Sequence, residues 1–121
     1  LWQAQALVPV PLHPSRRRKR GFNQAEVLAE ELSRWMGIPV ERSVLIRSKK
    51  TRAQKQLNDQ ERVSNLKNAF SVRKGSIPPK TIILVDDIYT TGSTIDEAAR
   101  VLLENGAQTV YFLCICVGRG S

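Results

Sequence analysis

Cysteine is scarce in this chain: 121 residues contain two, Cys114 and Cys116, within a single apolar run. Together with one histidine, His13, they fall short of the ligand count and spacing of a zinc site. Neighbours that close on a strand rarely form a disulfide, so both are expected to be buried thiols, suited to a reducing cytoplasm. The longest apolar run, Val110–Val117, spans eight residues. A membrane-spanning helix needs about 20, so no transmembrane segment is expected. Aromatic residues make up only 6%, which leaves few platforms for stacking nucleic-acid bases. Neither Gly-x4-Gly-Lys-[Ser/Thr] nor Gly-x-Gly-x-x-Gly occurs, which removes two common nucleotide-binding loops. The chain opens Leu1-Trp2-Gln3, without an initiator Met or a charged-then-apolar signal pattern, and is read as a piece of a longer protein.

Apolar residues make up 41% and charged residues 25%, a composition that suits one globular domain. The formal net charge is +8 and is unevenly placed. Residues 1–80 hold 17 Lys and Arg against 6 Asp and Glu, whereas residues 81–121 hold 2 against 5. Basic residues concentrate in Arg16-Arg17-Arg18-Lys19-Arg20 and, more loosely, in Arg47, Lys49, Lys50, Arg52 and Lys55. Most charge runs are solvated surface, but an excess this large sets up a field that attracts polyanions. Phosphorylated small molecules and nucleic acid both qualify.

Hydrophobic periodicity predicts alternating strands and helices. Ala6–Val10 is a short apolar run before a Pro-rich, basic loop. Asn23, with Glu26 three residues on, has capping-box spacing for a helix that Gly37 ends. Val27, Leu28, Leu32, Trp35 and Met36 form its apolar stripe, and Phe22 and Trp35 are expected in the core. Val40–Ile46 is weakly strand-like, 47–57 is a polar loop, Asn58 caps a second helix to about Lys67, and Ala69–Val72 is a brief strand. Thr81–Val85 is continuously apolar and β-branched, the pattern of a strand buried on both faces. A helix over Thr94–Asn105 follows, with Thr94 and Glu97 at capping spacing, and then a buried strand over Thr109–Val117. Strand, helix, strand in this order predicts an α/β fold with a parallel sheet flanked by helices.

The segment between Val85 and that helix carries the chemistry. Asp86-Asp87 at a strand end repel one another unless sugar hydroxyls or a divalent cation meets them. Thr90, Thr91, Ser93 and Thr94 surround Gly92, where the backbone can approach a ligand and the next helix opens its N–H groups to a phosphate. Carboxylates for a ribose followed by a hydroxyl-rich phosphate cradle make a coherent ribose-phosphate site. Alone, Asp-Asp could simply begin a turn and Ser/Thr could simply cap a helix. The two together, in this order after a buried strand, favour the ligand. A receiver domain, which also carries Asp-Asp after an apolar strand, needs a later acceptor aspartate at a strand end. The only aspartate after Asp87 is Asp96, inside a helix.

The stretch Ile83–Thr94 resembles the phosphoribosyl pyrophosphate (PRPP) motif of type I phosphoribosyltransferases, an apolar strand followed by Asp-Asp-x-x-Thr-Thr-Gly-x-Thr. More narrowly, the chain resembles the ComF family, named for competence-related DNA uptake. The matching residues are Val8-Pro9-Val10-Pro11-Leu12-His13-Pro14, Arg20-Gly21-Phe22-Asn23-Gln24, Thr51, Gln54, Leu57, Arg62, Asn65 and Phe70. The likeness runs from about Val8 to Val117.

The resemblance implies a type I phosphoribosyltransferase-like domain over residues 1–121, the C-terminal part of a chain whose N-terminal zinc-ribbon-like segment lies elsewhere. It implies that Asp86 and Asp87 hold the ribose hydroxyls with Mg²⁺ nearby, and that Thr90, Thr91, Gly92, Ser93 and Thr94 wrap the 5′-phosphate. The loop Pro11–Ser15 would approach the pyrophosphate, and 47–57 would close over the site with Arg47, Lys49, Lys50 and Arg52 as candidate cations. His13 is either a pyrophosphate contact or an ordinary loop residue, and Tyr89 either stacks on a ligand or supports the loop. Arg16–Arg20 are candidates for nucleic-acid phosphates. Two readings stay open: a PRPP-binding enzyme that transfers phosphoribosyl and releases pyrophosphate, or a non-catalytic competence factor that binds single-stranded DNA or DNA-uptake proteins. No hood that would grip an acceptor base is recognisable, so the acceptor is open as well.

Overall fold

Two short runs of aliphatic residues, far apart in sequence, become neighbours at the centre of the fold. Strand β1 (Ala6–Pro9) pairs in parallel with β4 (Thr81–Tyr89), placing Leu7 opposite Ile83 and Val8 opposite Leu84. Leu7, Val8, Ile82, Ile83, Leu84 and Val85 are all at most 1% exposed. Burial on both faces follows from strand alternation, because odd and even residues each meet a separate apolar layer. The computed structural model describes residues 3–11, 23–47, 69–89 and 93–117, with side chains other than those of 87–89, 93 and 115–117.

Helix α1 (Gln24–Met36) covers one face, where Ala29, Ile38, Leu28, Leu32 and Met36 pack with Leu7, Ile83 and Val85. Helix α2 (Ser93–Glu104) covers the other, where Ile95, Ala98, Val101 and Leu102 pack with Val8, Ile82 and Leu84. A small antiparallel pair, β2 (Leu45–Arg47) with β3 (Phe70–Val72), joins this second layer through Val44, Leu45, Ala69 and Phe70. Strand β5 (Thr109–Val117) runs parallel to β4 and, among the described residues, lies at one end of the sheet, whose order is β1-β4-β5. On the far side of β1, Val40 forms a parallel bridge with Leu7. The chain therefore leaves β1 in one direction and β4 in the other. Right-handed crossovers then require helices on opposite faces, and the two packing layers are arranged that way. Among the described residues, no helix is long and apolar enough to cross a membrane.

Local signals were accurate at the first helix. Asn23 caps α1 by accepting from the Ala25 amide at 3.0 Å, and Gly37 ends the helix with φ 68°, a left-handed conformation that costs glycine little. Other expectations need correction. Trp35 is 86% exposed and lies outside the core, because Ala25 and Ala29 let α1 approach the sheet on the neighbouring stripe. β5 is not buried on both faces: Tyr111 and Phe112 are 44% and 49% exposed, since a strand at the end of a sheet extends past the helices that cover its centre. Cys114 on that strand is accordingly a half-buried thiol rather than a buried one. Thr94 does not cap α2, which already includes Ser93, and the Glu97 carboxylate instead takes hydrogen bonds from Arg100. Phe22 and the helix expected from Asn58 lie outside the described residues.

Asn23 is buried and uses both ends of its amide, since Nδ2 also donates to the Val10 carbonyl at 3.1 Å. One side chain thus joins the end of β1 to the start of α1. Asn23→Ala should lose a cap worth about 1 kcal/mol and strand a buried carbonyl at a further 1–3 kcal/mol or so. Asn23→Asp keeps the capping oxygen and loses only the donor. Thermal melts should rank the wild type above both variants, and an Asn23→Asp midpoint equal to wild type would remove the Val10 bond from this account.

Candidate functional site

In a doubly wound sheet the ligand crevice opens beyond the carboxyl ends of the two strands where the winding direction reverses. Here those strands are β1 and β4, and their ends are tied together: the Val10 amide donates to the Val85 carbonyl at 2.8 Å. Asp86, Thr94 and the backbone opening α2 all gather at this end of the sheet.

The Asp-Asp pair was expected just beyond a strand. β4 instead continues through both residues to Tyr89, with Asp86 opposite Cys114 and Ile88 opposite Cys116. Asp86 is half-buried and shares the face of Ile82 and Leu84, the face that α2 covers. α2 begins at Ser93, so its first amides point toward the same crevice, and Thr94 is half-buried in the first turn. A carboxylate at a strand end and a helix N-terminus on the same face offer an acceptor and a donor set to one ligand. A polyol phosphate needs that pair. Asp87 is placed by its backbone in β4, and Thr90, Thr91 and Gly92 lie outside the described residues.

Two segments expected to line the site are held at their stems. The loop 12–22, with His13 and Arg16–Arg20, lies outside the described residues, yet its flanks meet through the Asn23–Val10 hydrogen bond. The stretch 48–68, with Lys49, Lys50 and Arg52, likewise lies outside them, and its flanks are paired strands. Arg47, expected in that loop, ends β2 opposite Phe70, with its guanidinium 5.1 Å from the ring centre. Strand alternation explains this placement: Leu45 and Arg47 share the side facing the core, and Ile46 is exposed. Sequence reasoning identified Asn23 as a helix cap only. Its second bond was invisible because Val10 is 13 residues away.

For Mg²⁺, the donor set is the test. Among the described residues no group of three or more His, Cys, Asp and Glu could hold a metal ion by itself. Mg²⁺ takes one or two carboxylates and completes its shell with water and substrate phosphate oxygens, so an all-oxygen site that includes the Asp86 carboxylate fits its chemistry.

A parallel sheet of this winding, with a carboxylate and a helix N-terminus at the reversal, defines a doubly wound α/β domain with a crevice at the carboxyl ends of its central strands. The chain matches the phosphoribosyl transferase domain family over residues 18–121 and belongs to it. It is also 43% identical over 108 residues to Competence protein F of Haemophilus influenzae, a match covering 88% of this chain and 47% of that protein. The DNA utilization protein YhgH of Escherichia coli K12 is 40% identical over 110 residues, 91% of this chain and 48% of the relative. Competence protein ComFC of Bacillus subtilis is 42% identical over 100 residues, 83% of this chain and 39% of the relative. The chain spans about half the length of the first two of these relatives. The fold is shared with a purine phosphoribosyltransferase from Pyrococcus horikoshii Ot3, at TM-score 0.54 and 15% identity over 98% of this chain and 65% of that one. The expected ComF resemblance and the type I phosphoribosyltransferase-like fold are thus both borne out.

If the crevice is preformed, its floor should be among the last parts of the molecule to open. The Val10 amide should exchange with deuterium as slowly as the amide of Leu84 in the core. Fast exchange at Val10 beside a protected Leu84 would mean that the β1 end is not held, and that the crevice forms only around a ligand.

Proposed function

We propose that this domain binds PRPP, or a nucleotide containing ribose 5-phosphate, with Mg²⁺, and transfers the phosphoribosyl group to an acceptor. The observation that supports this most directly is Asp86 on the α2 face of β4, at the strand end where the sheet reverses its winding and α2 opens its N-terminus. Asp86 and Asp87 accept hydrogen bonds from the ribose hydroxyls, and Thr90 to Thr94 with the α2 amides take the 5′-phosphate. In the reaction the bond from ribose C1 to the pyrophosphate oxygen breaks, and a bond from C1 to the acceptor forms. Both bonding electrons leave with pyrophosphate, and the acceptor's proton passes to solvent or to a nearby base. When bound at Asp86-Asp87, Mg²⁺ would supply positive charge against the departing pyrophosphate. The chain's own share is to fix the sugar and to bring cations to the leaving group. Lys49, Lys50 and Arg52 are the candidates in the stretch after β2, with His13 in the loop after β1. Excluding water from a cationic sugar transition state is what closure of such a segment would contribute.

Calorimetric titration of PRPP with and without Mg²⁺ tests this reading. Saturable, Mg²⁺-dependent heat is expected, and Asp87→Asn should weaken it by about tenfold or more, some 1.4 kcal/mol. A folded sample that takes up no PRPP, or an Asp87→Asn variant of unchanged affinity, would sink the assignment.

The charge distribution favours a second reading as a DNA-utilisation factor, in keeping with the names of the relatives. Residues 1–80 carry 17 Lys and Arg against 6 Asp and Glu, five of the cations in Arg16–Arg20. Single-stranded DNA should then bind with a steep salt dependence. Neutralising all five should flatten the slope of log K against log salt by roughly 3.5, at about 0.7 for each phosphate that the protein ceases to neutralise. A slope indifferent to these five residues would count against it. The readings are compatible, since a ribose-phosphate site can regulate a DNA-bound protein.

A further inference from the structure

β4 keeps its two neighbours for different lengths. Its register with β5 continues to Tyr89 opposite Val117, whereas its register with β1 ends at Val85 opposite Pro9. The two central strands therefore part immediately before Asp86, and this parting opens the crevice between them. The sequence explains half of it. Backbone groups of successive strand residues point to opposite neighbours. Leu7 bonds to Pro39 and Glu41 on the far side, and Val10 bonds to β4 through its amide on Val85. Alternation puts Pro9 and Pro11 on the Leu7 side, where neither has an N–H to extend a ladder. On the β4 side stands Val10, a good strand former, and proline does not end the pairing there. The Val10 carbonyl, the group that would carry the next rung, accepts from Asn23 Nδ2 at 3.1 Å.

Helix capping does not account for this amide. Asp and Ser cap as well as Asn, and a negative Asp would also suit the helix dipole. What Asn adds is a donor alongside the acceptor, on a neutral side chain that can be buried. Asn23 is 4% exposed, and among the described residues it is the one polar side chain in the core. Its acceptor goes to the Ala25 amide at 3.0 Å and its donor to Val10. Three consecutive hydrogen bonds thus connect the start of α1, the end of β1 and Val85, the residue of β4 that precedes Asp86.

We propose that Asn23 is a positioning residue for ligand binding: it ties the end of β1 to the first turn of α1, off β4, and so sets the gap in which a ligand meets Asp86. Asn23 acts through Val10 and does not itself touch the ligand. Without its donor, the buried Val10 carbonyl gains by taking the next rung from β4, which narrows the gap. The inference rests on the ribose-phosphate reading of the site and adds to it a residue far from the Asp-Asp motif in sequence.

Asn23→Ser separates this role from capping, because serine caps equally well and is neutral, but its hydroxyl ends one atom short of the asparagine nitrogen. Asn23→Asp is a second side chain that caps without donating. Glu31→Gly, at an exposed position inside α1 and away from its cap, is the control that weakens the helix alone. Circular dichroism verifies that all three are folded, and calorimetric titration with PRPP and Mg²⁺ is run well below every melting midpoint. Glu31→Gly should keep the wild-type affinity, while Asn23→Ser and Asn23→Asp should each weaken binding by about tenfold or more. Wild-type affinity in both Asn23 variants overturns the inference and leaves the ribose-phosphate reading standing. An equal loss in Glu31→Gly overturns it too, since helix stability alone would then set the affinity. A wild type that takes up no PRPP overturns that reading, and the positioning role with it.

Discussion

The structure depends on the parallel pairing of β1 with β4. Six aliphatic side chains from these strands are essentially inaccessible, each worth about 1.5–3 kcal/mol when fully buried. They come from segments more than 70 residues apart, so this one pairing brings the N-terminal third of the chain onto the C-terminal third. Every other element is organised by it. α1 and α2 cover its two faces, β2 and β3 join the layer under α2, and β5 extends it on one side. The site arises from the same pairing, because a sheet wound outward in both directions from two central strands leaves a crevice at their carboxyl ends.

The molecule also separates its surfaces by charge. The basic residues belong overwhelmingly to the first 80 positions, and the carboxylates of the motif belong to the last 41. The stems of the basic segments are secured by the Asn23–Val10 bond on one side and by the β2–β3 pair on the other. β5, by contrast, carries no charged residue along its nine positions.

Ion pairs hold little of this together. Arg100 reaches both Glu97 and Glu104 on α2, Arg34 reaches Glu31 on α1, and Arg42 reaches Glu30 across from the first helix. The hydrogen bonds to Glu97 and then Glu104 raise the Arg100 pKa further above its ordinary value, which leaves its charge unchanged at any accessible pH. Exposed pairs of this kind contribute about 0–1 kcal/mol each, far less than one buried aliphatic residue of β4.

Much of the fold was legible because its signals are local. The continuous apolar run before Asp86 identified the central strand, Asn23 and Gly37 bounded α1, and the order of elements predicted a parallel sheet flanked by helices. The Asp-Asp and Ser/Thr-rich segment placed the candidate site for the same reason, since its chemistry is contiguous in sequence. Composition and spacing carry no information on which strand lies at an edge, and β5 reads like β4 because both are apolar. Nor could they predict that α1 would rest on its alanines and leave Trp35 in solvent. By itself the sequence determined the elements, their order and the chemistry of the motif, all of which follow from residues within a few positions of one another. Only the tertiary structure decided that β4 runs on through Asp86 and Asp87, that Asn23 reaches Val10, and that Tyr111 and Phe112 on β5 stay part exposed. Each of these depends on which distant segment arrives alongside.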